Sequence, residues 1–113
     1  MIKIKRVYDE VSPGDGKRVL VDRLWPRGIK KEDAAIDEWL KDIAPSTDLR
    51  KWYSHDPTKW GEFKKRYKLE LEDRTEIIDR LRQESNKHTI TFLFSAKATE
   101  LNNAVALKEF IEE

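Results

Sequence analysis

The pattern of apolar and polar residues along the chain predicts three β-strands. Ile2 to Tyr8 alternates isoleucine with lysine at its start, which is typical of a strand with one buried face. Arg18 to Leu24 contains the run Val-Leu-Val, and Thr89 to Phe94 is mostly apolar. Because continuous apolar runs indicate strands covered on both faces, we expect the third strand to lie at the centre of the sheet.

Apolar residues at helical spacing predict helices between the second and third strands. The first is expected from Lys31 to Ile43, where one stripe would contain Ile36, Trp39, Leu40 and Ile43. A short helix from Thr47 to Tyr53 would begin at Ser46, whose hydroxyl can cap it.

A longer helix is predicted to start at Asp56-Pro57, an N-cap followed by proline at the first helical position. It would run to about Glu84, followed by a turn at Ser85-Asn86-Lys87. At about 1.5 Å per residue such a helix exceeds the width of a small domain, so we expect a bend or a protruding end near Asp73-Arg74. A last helix is predicted from about Thr99 to Ile111.

The order of these elements predicts an α/β fold in a single domain spanning residues 1–113. Strands joined by helical crossovers imply a small, largely parallel sheet covered by helices on both faces. Three strands make a small sheet, which leaves room for one more.

Composition supports a packed domain and adds a local excess of positive charge. Charged residues make up 40% of the chain, but the net charge is only +1, and four Trp, three Tyr and four Phe argue against disorder. Residues 1–31 hold nine Lys/Arg against four Asp/Glu. Such a region either attracts anions or forms an ordinary solvated surface.

Several classes of site are not expected from this sequence. The chain contains no cysteine, which excludes disulfides and thiolate metal sites, and its two histidines show no metal-ligand spacing. It also lacks the glycine-rich P-loop motif, so we predict neither a metal nor a cofactor. No secretory signal and no apolar run of about 20 residues is present, so we expect a cytoplasmic protein without a membrane partner.

The first candidate site follows the second strand and contains Asp22, Arg23, Trp25 and Arg27. In open α/β sheets, ligands bind at the carboxyl ends of the strands. The arginines can hold phosphate or carboxylate, Trp25 can stack on a flat ligand, and Asp22 can orient Arg23 or act as a base. Alternatively, an Asp–Arg pair ties down the loop and Trp25 fills the core.

Two further segments offer candidate residues. Ser95 and Lys97 lie between the third strand and the last helix, where a helix N-terminus favours an anion, and Asn102 lies one turn into that helix and could reach the same place. Arg50 and His55 lie close before the long helix, and histidine is readily tuned for proton transfer. The alternatives are a helix-capping serine with an exposed lysine, and asparagines that form only local hydrogen bonds.

Taken together, these segments resemble the YeaO-like branch of the family called domain of unknown function 488. The resemblance covers nearly the whole chain and rests on Lys5–Asp9, Arg18–Ile29, Ala44–Ser46 with Leu49-Arg50, Trp52–Asp56 with Phe63 and Arg66-Tyr67, and Ser95–Lys97 with Asn102 and Ala104. It implies an α/β fold in which the Asp-Arg…Pro and Ser-Ala-Lys segments lie at adjacent strand ends. This chain departs from the family at Ala98, where many relatives have an acidic or amide residue, and at Leu101, where a histidine is frequent. The Cys-His-Arg cluster of the broader family is replaced by Leu101–Ala104.

We therefore predict one polar crevice that binds a small phosphorylated or nucleotide-like anion. Arg23, Arg27 and Lys97 would hold charge, and Asp22 or His55 would move a proton if a reaction occurs. An enzyme is our first expectation and a purely binding protein the second. A nucleic-acid-binding, regulatory or protein-interaction module is the alternative, with nucleic acid disfavoured by the pI of about 7.9. The oligomeric state stays open.

Overall fold

Four parallel strands form the central sheet, in the order β1–β4–β2–β3. A computed structural model describes all residues, 1–113. The strands are β1 (Ile2–Arg6), β2 (Lys17–Leu20), β3 (Glu38–Trp39) and β4 (Ile90–Phe94). Phe92 of β4 aligns with Ile4 on one side and Val19 on the other, and every residue of β4 is buried. The predicted α/β class, parallel sheet and central third strand are confirmed.

Five α-helices accompany the sheet: α1 (Lys31–Ala34), α2 (Thr47–Tyr53), α3 (Trp60–Leu71), α4 (Thr75–Lys87) and α5 (Asn103–Glu112). A 3₁₀ turn at Glu72–Arg74 separates α3 from α4, so the predicted bend in the long helix is confirmed. The turn predicted at residues 85–87 is wrong, because α4 continues through them and the Ser85 hydroxyl donates to the carbonyl of Arg82. None of the helices has the length and apolar composition required to cross a bilayer.

The helix predicted from Lys31 to Ile43 is wrong beyond its first turn. The chain leaves α1 at Ala35 with a positive φ of 49°, forms β3 beside β2, and then makes a 3₁₀ turn. The apolar residues that would share one helical stripe are divided between the two faces of the sheet. Ile36 and Trp39 pack on one face, and Leu40 and Ile43 belong to the core on the other. This segment supplies the fourth strand.

Two predicted elements are shorter than their sequence patterns suggest. Strand β2 ends at Leu20 rather than Leu24, although the N–H of Val21 still donates to the carbonyl of Leu93. Helix α5 begins at Asn103 rather than Thr99, because the side chain of Asn102 caps it by accepting from the N–H of Val105. Residues 95–102 are consequently free to form an irregular loop at the carboxyl end of β4.

The two faces of the sheet are covered differently. The main core lies between the sheet and helices α2–α5, and its largest fully buried side chains are Tyr67, Phe63, Phe92 and Phe94. On the other face, Val7, Leu20 and Leu93 are covered by Trp25, Ile29, Ile36 and Trp39. Trp25, Ile29 and Ile36 come from the connection between β2 and β3, in which α1 is the only helix, and Trp39 belongs to β3.

Candidate functional site

A cavity of about 500 Å³ opens at the carboxyl ends of β2 and β4; we call it the main cavity. It is bounded by the segment after β2, the turn before α2, the turn after α2, and the loop between β4 and α5. Six of the nine predicted site residues line it: Asp22, Arg23, Arg50, His55, Ser95 and Asn102. The structure therefore brings together segments from four parts of the chain.

Asp22 joins the segment after β2 to the loop after β4 and to the start of α5. Its carboxylate accepts hydrogen bonds from the backbone N–H and the hydroxyl of Ser95, both at 2.8 Å, and from the Asn103 amide at 3.1 Å. The Asn103 amide also donates to the carbonyl of Val21. Asp22 consequently ties the end of β2 to the end of β4 and the start of α5, and its oxygens are occupied by protein donors.

Arg23 lies beside Asp22 and has no carboxylate partner. Its guanidinium donates to the carbonyl oxygens of Ala44, at 3.0 Å, and Pro45, at 3.3 Å. These bonds anchor the buried turn that precedes α2 and leave the positive charge of Arg23 at the cavity without a neutralising anion. The predicted Asp22–Arg23 pair is not formed: the two side chains bind different partners.

The carboxyl end of α2 brings two more cations and a histidine to the cavity. Ser46 caps the helix by accepting from the N–H of Leu49, as predicted. Arg50 and Lys51 lie in its last turn, are exposed, and form no salt bridge. Favourable interaction with the negative end of the helix dipole is the usual reason for basic residues there.

Two consecutive residues after α2 adopt the left-handed conformation. Ser54 has a φ of 47° and His55 a φ of 57°. Such a conformation costs a non-glycine residue about 1–2 kcal/mol, and strained backbone clusters at functional sites. Asp56 then caps the next turn by accepting from the N–H and hydroxyl of Thr58, as predicted, and these bonds lower the pKa of Asp56. The turn is thus restrained on both sides, with His55 at the cavity rim.

Aromatic side chains form the apolar wall of the cavity. Tyr53 and Phe63 stack with their ring centroids 4.4 Å apart, and both are buried. The Tyr53 hydroxyl donates to the carbonyl of Leu101 at 3.0 Å, which links α2 to the loop before α5. Burial raises the pKa of Tyr53, and the charge of Asp56 raises it further, so the phenol is a neutral donor near pH 7.

Comparison with known proteins identifies the family. All of the chain, residues 1–113, matches the family model described as "Inactive DUF488-N3 subclade". The chain belongs to the DUF488 family. It is 46% identical over 110 residues to the Uncharacterized protein YeaO of Escherichia coli (strain K12), covering 97% of this chain and 96% of that protein. The predicted family resemblance is confirmed.

Two mycobacterial proteins are less similar to the chain. The chain is 38% identical over 110 residues to the Uncharacterized protein Rv3073c of Mycobacterium tuberculosis (strain ATCC 25618 / H37Rv) and to the Uncharacterized protein Mb3100c of Mycobacterium bovis (strain ATCC BAA-935 / AF2122/97). Each alignment covers 97% of this chain and 92% of the relative. No solved structure matches this chain.

Three predicted site residues do not line the main cavity of this DUF488 protein. Trp25 packs edge-on against Trp39 on the other face of the sheet, and its indole N–H donates to the carbonyl of Ile29 at 2.7 Å. Arg27 is exposed, and its carbonyl accepts from the Tyr8 hydroxyl. Lys97 is exposed outside the lining. The predicted convergence of Arg23 and Lys97 is therefore not found, because Arg23 lines the main cavity and Lys97 does not.

Sequence reasoning did not assign the remaining lining residues to the site: Ala44, Pro45, Lys51, Tyr53, Ser54, Phe63, Ala96 and Asn103. It also missed Arg6, whose guanidinium donates to the carbonyls of Ser95 and Ala96 at 3.1 and 2.9 Å. Arg6 thereby holds the loop after β4 from the end of the neighbouring strand. The segments that carry the family resemblance contain Arg6 and most of the missed lining residues, whereas Lys51 and Asn103 lie outside them.

The positions at which this chain departs from the family pattern contribute main-chain oxygens. The carbonyl of Ala98 accepts from the Asn102 amide, and the carbonyl of Leu101 accepts from Tyr53. No group of three or more His, Cys, Asp or Glu side chains is placed to hold a metal ion. The chemistry of the main cavity is therefore that of cationic and aromatic side chains.

Proposed function

We propose that this DUF488 protein binds a small organic anion, phosphorylated or nucleotide-like, in the main cavity, and does so without catalysis. The observation that carries this proposal is the set of cations in the lining. Arg23, Arg50 and Lys51 form no salt bridge with any carboxylate of the protein. Cations without partners around a cleft attract anionic ligands and raise their local concentration.

Electrostatics in the lining favour an anion. Asp22 is the one carboxylate there, and three hydrogen bonds from Ser95 and Asn103 already satisfy it. Helix α5 begins at the cavity, so the positive end of its dipole adds to the cations. Arginine provides a planar pair of donors for phosphate or carboxylate oxygens.

Size and polarity favour an organic ligand over a bare inorganic ion. About 500 Å³ falls within the range of small-molecule sites, roughly 300–1,000 Å³. The stacked rings of Tyr53 and Phe63, with Pro45, provide apolar surface that an inorganic anion would not use. A ligand that carries both an anionic group and a flat or apolar body fits both walls.

Two observations support binding without a reaction. The subclade whose model matches the chain is described as inactive. In addition, His55 forms no hydrogen bond that would orient its ring as a general base, and Asp22 is held by three donors. In this proposal Asp22 positions the cavity walls and His55 contributes a polar edge. We expect the binding to take place in the cytoplasm, because a chain without cysteine fits a reducing compartment.

Isothermal titration with adenosine 5′-monophosphate (AMP) tests the proposal. The double variant Arg50→Gln/Lys51→Gln should lose about tenfold or more in affinity, since hydrogen bonds to charged groups contribute about 1.5–3 kcal/mol each. The matched control is Lys30→Gln/Lys87→Gln, which makes the same change in net charge at exposed positions outside the cavity.

Absence of AMP binding at millimolar concentration, or equal losses in both double variants, would contradict the proposal. An oligonucleotide that binds more tightly than AMP, with affinity falling steeply as salt rises, would favour the nucleic-acid alternative instead.

A further inference from the structure

A smaller cavity of about 240 Å³ adjoins the main cavity; we call it the side cavity. It lies between the turn after α2 and the loop that leads to α5. Tyr53 and His55 line both cavities and thus form the partition between them. The other residues that matter for its chemistry are Thr99, Glu100 and Leu101.

Of the two side chains that form the partition, Tyr53 is held by protein contacts and His55 is not hydrogen-bonded. Tyr53 is buried, stacked on Phe63, and hydrogen-bonded to the carbonyl of Leu101. His55 is exposed and its ring forms no hydrogen bond, with its centroid 6.2 Å from that of Tyr53. A ligand that passes over His55 meets no barrier built from hydrogen-bonded side chains.

The two cavities carry opposite charge. The main cavity presents Arg23, Arg50 and Lys51, whereas Glu100 is the only acidic residue of the side cavity, which contains no lysine or arginine. Glu100 takes part in no salt bridge and is exposed, so its carboxylate is available as an acceptor. Thr99 adds a hydroxyl beside it. A group that donates hydrogen bonds, such as an amine or a hydroxyl, suits this lining.

We propose that the ligand spans both cavities, with its anionic group at Arg50 and Lys51 and an amine or hydroxyl donor at Glu100. This inference rests on the proposed function and narrows the ligand to an organic anion with a hydrogen-bond donor remote from its charge. The aromatic partition then contacts the middle of the ligand. Phosphorylated compounds that lack such a donor occupy the main cavity alone.

A comparison of two probes in two variants tests this arrangement. AMP carries an amine and hydroxyls, whereas phenyl phosphate carries a ring and a phosphate without other donors. Glu100→Gln should weaken AMP binding about five- to tenfold, because a charge-assisted hydrogen bond is lost. Phenyl phosphate should bind equally or slightly more tightly, because removal of a negative charge near an anion site reduces repulsion.

The control is Glu72→Gln, which removes an exposed carboxylate in the turn between α3 and α4 and should leave both affinities unchanged. Backbone NMR provides a second measurement: AMP, and not phenyl phosphate, should shift the amide signals of residues 99–101. If Glu100→Gln leaves AMP binding unchanged or strengthens it, the two-cavity arrangement is wrong while anion binding in the main cavity stands. If neither probe binds the wild-type protein, the proposed function itself fails.

Discussion

Charged residues form ion pairs at one end of the parallel sheet and lack such partners at the other end. At the amino ends of the strands, Lys17 contacts Glu38 and Glu84, each at 3.0 Å, and Arg80 contacts the same two carboxylates at 2.7 and 2.8 Å. At the carboxyl ends, Arg23, Arg50 and Lys51 surround the main cavity without any such partner. Charges at the first end hold the protein together, and those at the second are available to a ligand.

At the amino ends of the strands, the two cations and the two carboxylates stabilise one another in their charged forms. Hydrogen bonds from Arg80 are the main cause of the lowered pKa of Glu38, with Lys17 lowering it further against the effect of burial. Burial alone would raise the pKa of Glu84 and lower that of Lys17, but their hydrogen bonds reverse both shifts. Because every member of this network favours its charged form, the network is complete without an external ion.

A second paired group lies at the start of β2. Arg18 and Asp15 are 3% and 5% exposed, and the Arg18 guanidinium donates to Asp15 and to the carbonyls of Ala34 and Ala35. Burial would raise the pKa of Asp15, but hydrogen bonds from the Ser12 backbone, Lys5 and Arg18 lower it. Of the nine basic residues in 1–31, Lys5, Lys17 and Arg18 form ion pairs, and Arg23 is the only one that lines the main cavity.

The largest effect on stability is expected at this buried pair. Arg18→Met keeps much of the side-chain volume but removes one charged partner of the buried Asp15 and the donors to two carbonyls, so it should lower the free energy of unfolding by about 3–5 kcal/mol. Urea unfolding at pH 7 measures the loss. Under conditions where the variant is folded, AMP affinity should change less than twofold. A loss of stability below 1 kcal/mol would show that the paired residues do not hold the fold.

Asp22→Asn should have an intermediate effect and should affect stability and binding together. The asparagine amide faces the donors of Ser95 or Asn103, so at least one buried hydrogen bond is lost, at a cost of about 1–3 kcal/mol. Urea unfolding and AMP titration on the same sample provide both values. Full stability combined with full affinity would contradict the role of Asp22 in joining the cavity walls.

Acid should destabilise the protein through the paired end. The folded-state pKa values of Asp15, Glu38 and Glu84 lie below their ordinary values of 3.8, 4.5 and 4.5, so their stabilising contribution is present above those values and is lost as pH falls through the folded-state values. The free energy of unfolding, measured by urea between pH 6 and pH 3, should therefore fall most steeply below about pH 4.5. Glu84→Gln should make this dependence shallower, whereas an unchanged slope would argue against the pairing.

Relief of backbone strain should give the smallest effect. His55→Gly removes a side chain from a left-handed residue and should change the free energy of unfolding by about 0.5 kcal/mol in the stabilising direction, after the entropy cost of glycine. Ala35→Gly is the matched control, since Ala35 is also left-handed, with a φ of 49°, but lies outside the main cavity. Both should raise the melting temperature slightly, and His55→Gly alone should weaken AMP binding.

Sequence alone determined the parts of the fold that depend on local chemistry. The buried run of β4 and the Ser46 and Asp56 caps are readable from neighbouring residues, because caps and strand patterns act over a few positions. The break near Asp73-Arg74 followed from the length of the predicted helix, which exceeds the width of a small domain. The place of the site could be predicted on the same basis, since parallel strands present their carboxyl ends together.

Tertiary structure decided how apolar residues are divided between two surfaces and which polar residues meet. Ile36 and Ile43 fit one helical stripe in the sequence, yet they pack on opposite faces of the sheet, and Trp25 covers the second face instead of the cavity. A periodic pattern predicts which residues are buried, but it does not predict the surface against which they pack. The presence of Lys51 and Phe63 in the lining of the main cavity could not be predicted for a similar reason. Contacts between segments far apart along the chain bring these two residues to the same cavity as Asp22.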